Sequence, residues 1–451
     1  PTDSSRIGTR CGATSTTPQH APQATQVQTP GPSGPPTQAP AAAAPQATWT
    51  QAELERISRE ISVDIEEIRG EKFVRPVAVR LAGADDLMAY FLARMAKTET
   101  PTKLTADENV AKLLGVIPPE MNLIEASLKL LKGQVAGFYD PDSDSFSLMD
   151  TTPMGLARIT MAHELDHALD DQLFDIDGSL AKCGLDTDAQ LAFQAVVEGS
   201  GTAVMNIWTV NHIKELDTAA LAQLQEQQSG SFKEAPAWLW KPMLGVYMQG
   251  AAFLQRRDDW VGAQMGQATA ADIRRAFEQR PRSTEQVLHS RTYWNAEHID
   301  EPRALKYTIG ALAEGWSVQR EDTLGEFMTS LIAGPDAERA ALDLANPLSI
   351  MAVKFGNELA AGWDGDRLVL LGRDKSLVLR WTSVWDSPRD AGEFYGAMTM
   401  RKDALDAAAH TLGGKDSGVE IDYDDALDEV VLTVHVGVKK RELRDIIGAL
   451  A

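Results

Sequence analysis

The chain of 451 residues sets 43 lysines and arginines against 65 aspartates and glutamates, a formal charge of −22. A surface so acidic argues against nucleic acid or an anionic membrane as the main partner, because a phosphate-rich surface recruits clustered cations. With 43% hydrophobic residues the chain can bury ordinary cores, whereas two cysteines, Cys11 and Cys183, are too few for a disulfide framework or a cysteine-rich metal site. Any bound metal must be held by histidine and carboxylate.

Residues 1–50 carry three charges, Asp3, Arg6 and Arg10, and nine of the 22 prolines among Ala, Thr, Gln, Ser and Gly. Such a segment has little to bury and predicts a disordered tether. Cys11 followed by this tract resembles the start of a mature bacterial lipoprotein. That would put a lipid anchor on Cys11 and the body in an extracytoplasmic compartment, although Gly8-Thr9-Arg10 lacks the small apolar residues of a lipoprotein cleavage box. No signal peptide and no apolar run of about 18 residues is visible, so no membrane span is predicted.

From Gln51 the pattern changes. Leu54, Ile57, Ile61, Ile65 and Ile68 recur at helical spacing over 51–69. Alternation predicts a strand over Phe73–Leu81, helical spacing returns over Ala84–Met95, and two further helices fall near 106–115 and 121–132. Two short strands follow, Gln134–Tyr139 and Ser145–Met149, joined by Asp140-Pro-Asp-Ser-Asp144. This acidic turn is not an EF-hand loop, because Ser145 and Thr151 stand where that loop requires Gly and Glu. Pro153 to Ala333 reads as predominantly helical, with turns near 178–188, 228–236 and 280–283. Beyond Pro347 a helix to Ala361, strands at Arg367–Leu371 and Leu377–Trp385, a helix after Pro388, strands near 418–423 and 429–436 and a last helix from Lys439 form a compact unit. The expected class is α+β: a mostly helical domain with a small N-terminal sheet at 51–335, then a smaller α+β accessory domain at 345–451. Trp316, Trp363, Trp381 and Trp385 would either pack its core or line an aromatic groove.

The densest chemical signal is His163-Glu164-Leu165-Asp166-His167, set in the helical segment Met154–Leu173. Four residues make slightly more than one helical turn, so both imidazoles leave the same face and can hold one Zn²⁺. Glu164 is then placed to take the proton of an activated water without itself being a ligand. A metzincin-type third histidine would fall at Leu173, which excludes that subclass. The favoured third ligand is Glu198, whose helix is otherwise apolar, so an unpaired carboxylate there would be costly; Asp177 is the alternative. Gly199 and Gly201 are explained if a close helix approach requires missing side chains. Asp170 or Asp171 could orient an imidazole, and Thr202 could hold Glu198.

The run Ala162–Asp175, AHELDHALDDQLFD, followed by VVEGSGTAV, resembles the gluzincin, thermolysin-like group of zinc metallopeptidases. More closely it is similar to a bacterial family, often exported or lipid-anchored, with a zinc helix of the type AHELTHALQDQ. Val135–Pro141, Arg282–His289, Ala361–Arg367 and Trp385-Asp386 also match that family, so the likeness runs from about residue 70 to the C-terminus. Departures are Asp166, where Thr is common, and Asp171, in place of the common Gln. The resemblance implies zinc-dependent hydrolysis of peptide bonds in a protein or peptide substrate, with ligands His163, His167 and Glu198 and with Glu164 as base. By the same likeness a downstream His or Tyr serves the oxyanion: His289 first, Tyr247 or Tyr293 otherwise. The strand ending at Tyr139 would pair with substrate backbone. The competing expectation is a non-catalytic envelope protein with a structural zinc site and a partner-binding C-terminal domain.

Overall fold

The computed structural model describes residues 49–450 apart from 99, 133–135, 185, 216–231, 264–265, 340–341 and 344–345. Cys11 and nearly all of the expected tether lie outside the described residues. Helix α1 (Gln51–Arg69) opens with a capping box between Thr50 and Glu53 and stops at Gly70, whose φ of 64° suits a residue without a β-carbon. Its apolar stripe, Leu54, Ile57, Ile61 and Ile65, is buried, and so is Arg69, which continues the same stripe by one turn.

Strand β1 (Ala78–Ala82) is shorter than the expected Phe73–Leu81. Helices α2 (Ala84–Thr98), α3 (Pro101–Leu113) and α4 (Leu123–Lys132) lead to the hairpin of β2 (Gly137–Asp140) and β3 (Ser145–Met149). These strands make a three-stranded sheet ordered β1-β3-β2, with β1 parallel and β2 antiparallel to β3, so β2 is an edge. Helices α5 (Met154–Phe174), α6 (Ile176–Ala181), α7 (Thr187–Asn211), α8 (Ala237–Leu254), α9 (Ala270–Glu278) and α10 (Thr284–Leu288) follow. At the α7–α8 crossing a β-carbon on Gly199 would lie 2.5 Å from the carbonyl carbon of Gly250, so the two backbones touch. Gly199 thus serves this crossing, not the approach to α5.

The expected helical run to Ala333 is interrupted. Residues 295–316 are largely irregular, and Ser317–Asp322 is a strand, β4, followed by α11 (Gly325–Ala333). The helix expected over 347–361 is a single short segment, Pro347–Met351. Strands β5 (Trp363–Arg373) and β6 (Ser376–Trp385), helix α12 (Pro388–Gly413), strands β7 (Gly418–Asp424) and β8 (Glu429–Val436) and helix α13 (Lys440–Ile447) complete the chain. The second sheet is antiparallel with the order β4-β5-β6-β8-β7. The mixed α and β content agrees with the expected class.

The packing does not divide at 335–345. One core runs from Val110 of α3 and Trp240 of α8 through Leu331 and Ile332 into Leu368, Trp381 and Phe394. A second gathers α1, β3, α5, α7 and α8 around Ile61, Phe146, Leu165, Phe193, Val196 and Phe253. Trp316, Trp363, Trp381 and Trp385 are buried, which assigns them to core packing. No helix among the described residues is long and apolar enough to cross a membrane.

Candidate metal centre

Helix α5 is buried along most of its length, and both histidines face α7. Their rings stand edge to face at 4.4 Å, with the two Nε2 atoms 2.9 Å apart. Glu198 Oε2 completes a triangle at 3.2 Å from each. The approach depends on Gly201: a β-carbon there would sit 2.7 Å from His163 Cε1, 2.8 Å from His163 Nδ1 and 2.9 Å from His167 Cε1. Three lone-pair atoms thus converge on one point from opposite helices. Ligands on a tetrahedral Zn²⁺ at 2.0–2.1 Å lie about 3.3 Å apart, close to the observed edges. The two imidazoles and one carboxylate therefore fit a borderline ion such as zinc.

The electrostatics agree with a site built for positive charge. Burial would raise the carboxyl pKa of Glu198, but the two imidazoles override it and hold it well below the usual range. Burial also opposes the cationic form of His167, and the carboxylates of Glu198, Glu164 and Asp166 together outweigh it, lifting the imidazole to about 9. Glu164 moves the other way: burial raises it, against the opposing pull of His163, His167 and the Tyr139 N–H. That N–H donates to Glu164 Oε2 at 2.9 Å, so the candidate base is held by the edge strand β2.

Residues outside the triangle take roles that differ from expectation. Arg69 pairs with Asp166 at 2.5 Å and with Asp170 at 2.7 Å, and Ser200 Oγ donates to Asp166 at 2.8 Å. All four are buried, so the charge of Asp166 beside the histidines is compensated, and Asp170 is engaged by Arg69. Asp171 accepts from the Tyr139 hydroxyl and from Ile176 N–H, which starts α6. The hydrogen bonds of Asp170 and Asp171 thus do not run to an imidazole, and buried His167 Nδ1 has no partner among the described residues. Asp177, the alternative ligand, forms a two-pronged pair with Arg94. Thr202 Oγ1 is buried without a partner among the described residues and does not hold Glu198.

A family model described as a domain of unknown function (DUF8575) matches residues 312–442. No curated protein and no solved structure matches the chain. The matched segment contains all five strands of the second sheet with α11 and α12, and it lies outside the His163–Glu198 triangle.

Of the three candidate oxyanion donors, the structure brings Tyr247 to the triangle. Its ring stacks on His163 at 5.6 Å, and its hydroxyl is pushed well above 10 by burial and by Glu198 and Glu164. His289 lies elsewhere: its Nε2 is 2.9 Å from Glu326 Oε1. The cause is the anchoring of α10, whose Thr284 N–H and hydroxyl both bond to Asp188 Oδ1 near the start of α7. Asp188 precedes Glu198 by ten residues, about 15 Å of helix. Tyr293 donates to Gln279 O in an aromatic cluster with Phe253 and Trp294.

Two neighbours of the site lacked an obvious motif. Tyr90 of α2 stacks on Phe138 at 4.3 Å, and its hydroxyl donates to Tyr139 O at 3.2 Å, covering the free edge of β2. Arg69 had a signal in its spacing, since Ile61, Ile65 and Arg69 share a buried stripe, which asks for an anionic partner.

Proposed function

We propose that the chain is a zinc-dependent peptidase of gluzincin type, carried by one observation: His163 Nε2, His167 Nε2 and Glu198 Oε2 converge, with Glu164 held beside them. When bound there, Zn²⁺ supplies Lewis acidity, acidifying a water and polarising a carbonyl. Glu164 would take the proton of a water and return it to the leaving nitrogen. Burial raises its carboxyl above the usual range, which makes it a stronger base for that proton. The Tyr139 N–H fixes one carboxylate oxygen and leaves the other for the proton. Tyr247, half-buried and protonated, is the donor best placed for a developing oxyanion. The order of small sheet, HExxH helix and glutamate helix supports the same reading. A protein or peptide is the substrate class, and the tether-like composition of residues 1–50 favours an extracytoplasmic setting.

A second reading, a structural zinc site in a non-catalytic envelope protein, draws on the covered edge of β2, where Glu164 and Tyr90 already occupy both polar groups of Tyr139. Glu164→Gln separates the two. The variant should keep its zinc and lose about 10²–10⁴-fold in cleavage of a peptide library. Undiminished cleavage removes Glu164 from the mechanism, and a wild type that holds zinc yet cleaves nothing favours the structural role.

A further inference from the structure

Beside the start of α7, where Thr284 of α10 bonds to Asp188, the chain gathers carboxylates for which the peptidase reading has no use. Glu285 on α10, Asp300 in the loop before β4 and Asp386 between β6 and α12 each offer an oxygen, and these oxygens lie within 4.8 Å of one another. Glu285 is 4% exposed, and its Oε2 is buried without a hydrogen-bond partner among the described residues. None of the three carboxylates forms an ion pair among the described residues. The nearby Arg303 guanidinium is engaged by Asp364, at 2.8 Å from Nε and 2.6 Å from Nη2. The charges that act on Glu285 are Glu326, Asp300, Asp386 and Asp188, all acidic, and together with burial, the larger cause, they push its carboxyl to about 9. A buried, unpaired carboxylate among further acids is an unstable arrangement unless a proton or a cation compensates it.

We propose that Glu285, Asp300 and Asp386 bind a hard divalent cation, Ca²⁺ by preference, which clamps the helical part of the chain to the second sheet. The donor set is all oxygen, which selects Ca²⁺, Mg²⁺ or Mn²⁺ over zinc. Two oxygens sharing one Ca²⁺ at 2.3–2.6 Å lie at most about 5 Å apart, and the observed spread meets that limit. Asp386 is exposed and Asp300 half-buried, so the site opens to solvent and leaves room for the waters that complete a calcium shell. Its backbone is already fixed: Asp386 N–H donates to Gly362 O at 2.9 Å, Asp300 N–H to Thr292 O at 3.0 Å, and Gln286 Nε2 donates to Asp300 O. A spread of up to 4.8 Å suits the larger, more tolerant Ca²⁺ better than Mg²⁺, whose ligands at 2.0–2.1 Å lie at most about 4.2 Å apart. The three ligands come from three separate stretches of chain, so the cation would cross-link them. This site stands independently of the peptidase reading.

The test uses the full chain stripped with EGTA and reloaded with zinc, then titrated with Ca²⁺ by calorimetry and by thermal melting. The wild type should bind one Ca²⁺ that raises its Tm. Asp386→Asn, at an exposed position that leaves the core intact, should weaken binding at least tenfold and lose the Tm response, with zinc content unchanged. Glu285→Gln should do the same. A wild type whose heat and Tm do not respond to Ca²⁺ overturns the site, as does unaltered Ca²⁺ binding in Asp386→Asn. If the Tm ignores Ca²⁺ and instead falls as pH rises past neutrality, Glu285 carries a proton and the clamp is refuted.

Discussion

Gly201→Ala is a sharp test of the helix approach that builds the triangle. The position is helical, so alanine by itself would stabilise α7 by about 0.5–1 kcal/mol. Against this, the new β-carbon would meet His163 Cε1 at 2.7 Å, His163 Nδ1 at 2.8 Å and His167 Cε1 at 2.9 Å. Neither ring has a free direction, because His163 is backed by Tyr247 and both rings ride on a buried helix. Overpacking of this kind costs about 1–3 kcal/mol, so the net loss is about 0–2.5 kcal/mol and the fold survives. The site fares worse: ordinary contact distances require a displacement of about 0.8 Å, and metal sites tolerate only about 0.2 Å in ligand distance. Zinc per chain, measured by atomic emission after dialysis against a weak chelator, should fall well below one, while circular dichroism shows a modestly lower melt. A variant that keeps wild-type zinc and melts higher than wild type would refute the cradle. Gly199→Ala is the control, since its β-carbon would strike Gly250 backbone at 2.5 Å and should lower the melt more.

Arg69→Met leaves Asp166 and Asp170 buried without their cation and should cost about 3–5 kcal/mol in urea unfolding; a variant as stable as wild type would show that the pair carries no weight. Asp188 and Asp322 are both raised to about 7, burial being the larger cause. They bind their protons more tightly folded than unfolded, so their contribution to stability falls as pH rises from about 4 to about 7. The double variant Asp188→Asn with Asp322→Asn should flatten that slope in urea titrations at pH 5, 6, 7 and 8, and an unchanged slope contradicts the assignment. Tyr90→Phe frees the Tyr139 carbonyl for a peptide N–H, a bond worth about 1 kcal/mol. Peptide KM should fall about fivefold at unchanged kcat, and an unmoved KM would take that edge off the substrate path.

The parts of this structure written in short periodicity were legible from the sequence. The stripe of α1, the HExxH helix, the Glu198 helix and four strands of the second sheet fall where spacing puts them, because the apolar periodicity of each is set within its own segment. What failed depended on distant partners. Ser317–Asp322 gives little alternating signal, with its exposed residues side by side at Ser317 and Val318, and becomes a strand only because β5 offers an edge. Phe355 enters the core from an irregular segment, so the spacing over 347–361 that suggested helix is met by a loop. Within the site, Gly201 and Glu198 could be anticipated from a buried helix with an unexplained charge and missing side chains. The placement of His289 could not, because it hangs on Asp188 gripping Thr284 across 96 positions of sequence.

The contacts at the start of α7 bear on why a site so near the N-terminal sheet comes with a C-terminal module. Thr187 N–H and hydroxyl bond to Asp322 at 2.8 Å, Asp188 N–H bonds to Thr323 O at 3.0 Å, and Gly325 packs directly against the Asp188 carboxylate. Asp366 of β5 in turn caps α11 through Leu324 and Gly325 N–H. The segment matched at 312–442 therefore holds the first turn of α7 through buried, directional bonds. Those bonds fix the helix along its axis. A slide of one residue, about 1.5 Å, would carry Glu198 Oε2 out of reach of both imidazoles and set the Gly201 gap beside Ser200 or Thr202. Apolar packing between helices tolerates small slides far better than hydrogen bonds do, so the cores alone would hold this register weakly. The second sheet thus acts on the candidate metal centre without touching it, by setting where along its own axis α7 presents its glutamate.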